Sequence, residues 1–253
     1  MQMLSNHGLV EVATSSQEWN ESRGYSIHGC VHSWAIYALN QEWDYDLART
    51  AVKFVGAHVP GEKDIQPWLM ERRILQHAAR CLYMLSKGLV KDDGLADKYY
   101  NLGLLFANQG KLVEAEQMFQ RALQGYEKAW GPDHTSMLDT VNNLGNLYLN
   151  QGKLVETEQM FQRALQGYEK AIGPDNITTY VPGLNTILNL GRLFERQADL
   201  AKARTMFSKA LRGYEQVFGP DHAKSENLRD HLCALDVGVE NEASIEIVQT
   251  TCK

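Results

Sequence analysis

Sliding the chain against itself by 42 residues lays Asn108–Asp133 (NQGKLVEAEQMFQRALQGYEKAWGPD) over Asn150–Asp175 (NQGKLVETEQMFQRALQGYEKAIGPD), and only two of the 26 positions differ. A looser third copy starts at Gln197, runs through Met206, Phe207, Ala210, Leu211, Gly213, Tyr214 and Glu215, and closes on Gly219-Pro220-Asp221-His222, offset by 46 from the second. A period in the range of about 20 to 50 residues means stacked supersecondary units, each burying its apolar face only against its neighbours.

Inside a unit the apolar spacing is helical. Leu112, Ala115, Met118, Phe119, Ala122, Leu123 and Tyr126 follow steps of three and four, which gathers them on one face of a helix. Tyr99, Leu102, Gly103 and Phe106 mark a helix before it, and Gln109-Gly110-Lys111 separates the two with a glycine suited to a left-handed helix end. Gly131-Pro132 stops the second helix, because proline lacks the N–H and drives the residue before it out of the helical region. Asp133 or Thr135 is then placed to cap the next helix. Each unit is therefore a helical hairpin, and the fold class is all-α.

Composition removes several functions. At 44% apolar, 22% charged and a net charge of -6 over 253 residues, the chain has material for a packed core but no dense basic patch for nucleic acid or an anionic membrane. No apolar run approaches the roughly 18 to 20 residues of a membrane span, and Met1 to Val10 lacks the pattern of a signal peptide. The expected location is cytoplasmic, with no nucleic-acid and no membrane partner. Cysteines at 30, 81, 233 and 252 share no CxxC spacing, so they read as reduced thiols rather than a zinc ribbon or disulfide frame. The Asn20 and Asn176 sequons then carry no glycan.

The repeated residues resemble the tetratricopeptide repeat (TPR), in the 42-residue form typical of kinesin light chains. Leu102-Gly103, Leu144-Gly145 and Leu190-Gly191 match its Leu-Gly pair, and Phe106, Tyr148 and Phe194 the aromatic three positions on. Ala115 and Ala203, then Phe119, Phe161 and Phe207, then Ala122, Ala164 and Ala210 match its second helix. Thr157 departs from the alanine; a β-branched side chain at a close crossing should loosen packing by about 1 kcal/mol. Four extra residues between Gly173 and Gly191, with Pro182-Gly183 among them, are about one helical turn and should displace the third repeat from the superhelical path. The resemblance implies a right-handed superhelical TPR solenoid, with repeats at 96–138, 139–180 and 181–222, a capping helix at 223–236 and a loose tail at 237–253.

Upstream, Tyr25-Ser26-Ile27-His28-Gly29-Cys30-Val31-His32-Ser33-Trp34 resembles the end of the winged-helix segment that follows the nucleotide-binding core in fungal NB-ARC/TPR proteins of the STAND (NLR-like) class. His28, Val31, His32 and Trp34 keep that pattern, while Gly29 replaces its proline and Ser33 its aspartate. Residues 1–38 are thus expected to be a winged-helix-like remnant and 39–95 a helical linker or N-terminal cap. Asp44 to His58 and Pro67 to Ser86 read as its two helices, with Leu75, Ala78, Ala79 and Leu82 on one face.

No catalytic motif is present: GxxxxGK[ST], HExxH, GxSxG and a glycine-rich dinucleotide loop are all missing from the sequence. His28, Cys30 and His32 could hold a metal in principle, yet no carboxylate or second thiol lies near in sequence, and packing is the preferred reading. No enzyme, cofactor or metal is expected. Gly-Pro-Asp-His at 131–134 and 219–222 is a helix stop and restart, and its histidine becomes Asn176 in the middle copy.

Binding remains. In the family, the first helix of each hairpin lines a concave groove that takes extended peptides. The resemblance assigns Tyr100, Asn101, Leu104 and Asn108 to it from the first unit, Asn142, Asn143, Asn146 and Asn150 from the second, and Asn189, Arg192 and Arg196 from the third. Asn101, Asn143 and Asn189 each stand two residues before the glycine. A carboxamide both donates and accepts, which suits an extended backbone; the alternative is that these asparagines bond to neighbouring helices. Arg192 and Arg196 favour an acidic partner end, whereas Asp97, Tyr100, Asp139 and Asn142 lack the basic side chains of a chaperone-tail clamp. Lys111, Glu114, Glu116, Lys153, Glu156 and Glu158 read as a solvated face. The expected function is a non-catalytic interaction scaffold, the ligand-sensing region of a STAND receptor with an upstream nucleotide-binding domain. The alternative is a free-standing kinesin-light-chain-like adaptor, against which residues 1–96 show no sustained heptad pattern.

Overall fold

In a computed structural model the described residues are 10–13 and 24–27 (backbone), 43–61, 67–91 and 93–235. They form strands β1 (Val10–Ala13) and β2 (Gly24–Ile27) and helices α1 (Tyr45–Ala57), α2 (Pro67–Ser86), α3 (Ala96–Asn108), α4 (Leu112–Trp130), α5 (Thr135–Asn150), α6 (Leu154–Ile172), α7 (Val181–Arg196) and α8 (Leu200–Phe218). A last helix, α9, covers 223–235. The expectations for His28, Cys30, Val31, His32 and Trp34 lie outside the described residues, as does most of 1–38.

The chain divides into two units, residues 1–50 with 84–91 and residues 51–83 with 92–253. The first holds the antiparallel pair β1–β2, with Val10 opposite Ile27 and Ala13 opposite Gly24. It also holds the start of α1, where Asp44 Oδ1 accepts from the N–H groups of Asp46 and Leu47 at 3.0 and 2.9 Å, and the Trp43 Nε1–H, which donates to the Leu89 carbonyl at 2.7 Å.

The second unit carries the repeats, and its helices pair as hairpins: α3 with α4, α5 with α6, α7 with α8. The Leu-Gly pairs explain the pairing. A Cβ at Gly103, Gly145 or Gly191 would stand 2.6, 2.5 and 2.5 Å from the ring of Phe119, Phe161 and Phe207 respectively, and those rings are buried. Hydrogen at this position lets the second helix close on the first and seal a continuous core, in which Leu149 and Phe161 of one hairpin meet Leu184, Ile187 and Phe207 of the next.

Turns follow the repeat too. Gly110 and Gly152 adopt φ of 70° and 76°, and the equivalent third position, Ala198, adopts 60° with a side chain. The helix after Gly131-Pro132 is capped by neither Asp133 nor Thr135: His134 is the N-cap, its Nδ1 accepting from Ser136 N–H, and Thr135 is already helical. Thr157 is buried, with its hydroxyl bonded to the Lys153 carbonyl at 2.6 Å, so its polar atom is satisfied within its own helix. The extra residues before α7 turn over 174–179 and bury Ile177, whose Cδ1 would lie 2.3 Å from a Cβ at Gly183. On α2, Ala78 is buried but Ala79 is exposed, so that face is narrower than its spacing suggests.

Glu116 and Glu158 belong to the joints between hairpins rather than to a solvated face. Glu116 accepts from Tyr148 OH at 3.1 Å and from Gln151 Nε2 at 3.3 Å, and Glu158 accepts from Gln197 Nε2 at 3.5 Å. Glu71 on α2 repeats the device, taking Gln109 Nε2 at 2.9 Å and Asn108 Nδ2 at 2.8 Å.

Candidate functional site

The side chains expected to line a groove divide by repeat. On α3, Asn101 Nδ2 donates to the Gly56 carbonyl at 2.9 Å, and Asn108 is held by Glu71. Tyr100 turns its hydroxyl to Asn143 Nδ2, which donates to it at 3.0 Å, and Leu104 is half-buried. For the first repeat, then, the half-buried Asn101 and the exposed Asn108 both bond to the helices packed beside them.

The second and third repeats differ. Asn142 Oδ1 accepts from Thr186 Oγ1 at 3.0 Å and from Asn189 Nδ2 at 3.3 Å, so the Asn142 carboxamide keeps its N–H groups to offer elsewhere. Thr186 is fully buried and Asn189 nearly so. Arg196 Nη1 donates to the Leu149 carbonyl at 2.7 Å. Arg192, one turn before it on α7, is exposed.

These residues surround two adjoining concavities of about 700 and about 500 Å3. The larger is walled by Asn142, Asn143 and Asn146 from α5, by Asn189 and Arg192 from α7, and by residues of α9. The smaller continues it along Asn146, Asn150, Arg192 and Arg196. Seven expected residues are thus brought together, all from the second and third repeats, while Tyr100, Asn101, Leu104 and Asn108 line neither space.

The electrostatics favour a negatively charged guest. Arg192 lines both concavities, and Lys224 lines the larger, its Nζ standing 5.9 and 5.5 Å from the ring centroids of Tyr214 and Phe218. Glu195, the one carboxylate lining them among the described residues, is met by His231 Nε2 at 3.2 Å. Tyr214 also lines the larger space, and burial pushes its hydroxyl above the usual tyrosine range against the opposing effect of Arg192. It stays a neutral donor and bonds Asn185 Oδ1 at 2.7 Å. Burial likewise raises Tyr100, helped by the charge of Asp139 and opposed by the bond from Asn143. Asp139 is itself raised by burial, against the bond from Tyr168 and the nearby His134. Among the described residues no group of three or more His, Cys, Asp or Glu could hold a metal ion, and no helix is long and apolar enough to cross a membrane.

Asn185, Lys224, Asn227 and His231 line the larger concavity and escaped the sequence reading. The last three sit on α9, read there as a simple cap. A signal existed: moving on by 42 from α7 carries Asn185 to Asn227, Asn189 to His231, Leu190 to Leu232 and Gly191 to Cys233. By sequence α9 matches the first helix of a repeat, with His231 where the other units have the groove asparagine. Its Leu232 is buried and its Cys233 exposed.

Residues 94–170 and 184–224 match family models of the tetratricopeptide repeat. In fold the chain is similar to crystal structures of nearly identical TPR-like repeats assigned to a kinesin light chain of Podosopora anserina. The Q17M form has a TM-score of 0.57 at 12% identity, covering 81% of this chain and 92% of that one. A second crystal structure of those repeats has a TM-score of 0.56 at 11% identity, covering 82% and 94%. The crystal structure of BtubC (BKLC) from P. vanneervenii is also similar, with a TM-score of 0.51 at 15% identity over 84% of this chain and 93% of that one. No curated protein matches the chain.

Proposed function

We propose, for a chain whose residues 94–170 and 184–224 are tetratricopeptide repeats, that the concave face of α5, α7 and α9 captures an extended peptide or protein segment without catalysing any change in it. The observation that carries this reading is the gathering of Asn142, Asn143, Asn146, Asn189 and Arg192 around one open space of about 700 Å3. Carboxamides grip a backbone regardless of its side chains, and Arg192 with Lys224 selects a segment with acidic residues.

The wider role proposed is the ligand-sensing end of a STAND-type, NLR-like receptor, in which an upstream nucleotide-binding domain turns capture into assembly. His28, Val31, His32 and Trp34 support it. A cytoplasmic adaptor akin to kinesin light chains is the second reading, favoured by the fold shared with the Podosopora anserina repeats. Sequencing the native transcript upstream of Met1 separates them, since only the first requires a GxxxxGK[ST] loop in frame.

For the groove itself, arrays of extended acidic and neutral peptides are screened against the protein and its Arg192→Glu variant. Acidic peptides should bind the wild type and lose at least about tenfold in affinity to the variant, the worth of one charge-assisted contact. Equal binding by both proteins would remove the groove from consideration.

A further inference from the structure

The segment that leaves α9 has the pattern of a ligand for this groove. From 236 to 247 the sequence reads DVGVENEASIEI, with every carboxylate (Asp236, Glu240, Glu242, Glu246) on an even position and Val237, Val239, Ala243, Ile245 and Ile247 on odd ones. No Lys or Arg falls among them. In an extended chain successive side chains point to opposite sides, so this alternation makes one edge acidic and the other apolar. A helix would instead spread Val237, Val239, Ala243, Ile245 and Ile247 around its circumference, and valine and isoleucine disfavour it.

The groove is built for such an edge. It sets Arg192 and Lys224 among carboxamides, its one carboxylate among the described residues, Glu195, stands 3.2 Å from His231 Nε2, and Leu188 and Leu228 supply apolar wall. The chain as a whole carries a charge of -6, so this positive face is local. Reach is ample. His231 lines the groove and Leu235 is the last described residue of α9, about 6 Å further along the axis. Crossing from α9 over α7 to α5 takes about 20 Å at ordinary helix spacing, and twelve extended residues span about 40 Å.

We propose that residues 236–247 of this chain occupy its own groove as an internal competitor, with Glu240, Glu242 and Glu246 facing Arg192 and Lys224. The inference rests on the peptide-capture reading above and adds its regulation. An external ligand must displace the segment, whose effective concentration in cis is on the order of millimolar. If the segment binds with a Kd of about 100 μM, its competition weakens any external ligand about tenfold.

The test uses the full chain and a fluorescein-labelled synthetic peptide of residues 236–251, followed by anisotropy at low salt. The Glu240→Lys/Glu242→Lys/Glu246→Lys chain should bind this peptide about tenfold more tightly than wild type, and adding Arg192→Glu should abolish the gain. Equal, Arg192-dependent binding by wild type and the triple variant would overturn the internal contact while leaving the groove a peptide site. No binding by the triple variant would overturn it as well, because the segment would then be no ligand, and the acidic peptide arrays judge the groove separately. A dimer by light scattering that the triple variant converts to monomer would place the segment in a second copy's groove and overturn the contact in cis.

Discussion

Ala198→Gly should stabilise the protein, and the repeat supplies its own controls. Ala198 occupies the turn position held by Gly110 and Gly152 in the other hairpins, with φ of 60° against their 70° and 76°. An L-residue with a Cβ pays roughly 1–2 kcal/mol there, because the Cβ crowds the carbonyl oxygen. Glycine returns about 0.5–1 kcal/mol of that through the greater freedom of its unfolded chain. Ala198 is exposed, so removing its methyl group forfeits no packing. The net expectation is a gain of about 0.5–1 kcal/mol, or a rise in Tm of about 1–4 °C for a chain of this length. A Cβ at Gly110 or Gly152 would meet nothing within 4 Å, so Gly110→Ala and Gly152→Ala isolate the backbone cost and should each lose a similar amount. Urea titration of the four proteins, with midpoints compared at equal slope, is the measurement. A lower midpoint for Ala198→Gly, or unchanged midpoints for both glycine variants, would refute the reasoning.

Other perturbations probe different joints. Gly145→Leu should unfold the array, since even a Cβ there stands 2.5 Å from the buried Phe161 ring; a wild-type circular-dichroism melt would show the helix crossing to be misplaced. Glu71→Ala should cost about 1–2 kcal/mol by leaving the Asn108 and Gln109 amides without their acceptor, read from the denaturation midpoint. For Asp139→Asn the sign follows from burial: a carboxyl raised above the usual range holds its proton more tightly folded than unfolded, so its ionisation weakens the fold as pH climbs through that interval. The variant should match wild type near pH 4 and melt higher at pH 7, and a difference independent of pH would contradict this. Asn185 already occupies the corresponding place in the third repeat and accepts from Tyr214 OH there, as Asp139 does from Tyr168.

The hairpins were legible in the sequence because they are written in local, periodic chemistry. Apolar residues at steps of three and four fix each buried face, Leu-Gly pairs mark the crossings, and Gly131-Pro132 ends a helix whatever surrounds it. Near-identity at an offset of 42 then dictates that the units stack. The caps were less legible: a histidine at 134 in place of Asp133 or Thr135 depends on which ring nitrogen meets a backbone N–H, and no propensity encodes that.

The groove needed three dimensions. Asn101, Asn143 and Asn189 are equivalent by sequence, yet Asn101 bonds the Gly56 carbonyl, Asn143 the Tyr100 hydroxyl and Asn189 the Asn142 amide oxygen. A carboxamide takes whatever partner the neighbouring helix offers, and that neighbour is different at each end of an array. The repeat by itself determined which positions face inward; only the packing of α1, α2 and α9 against the outer hairpins decided which of those positions remain open to a ligand.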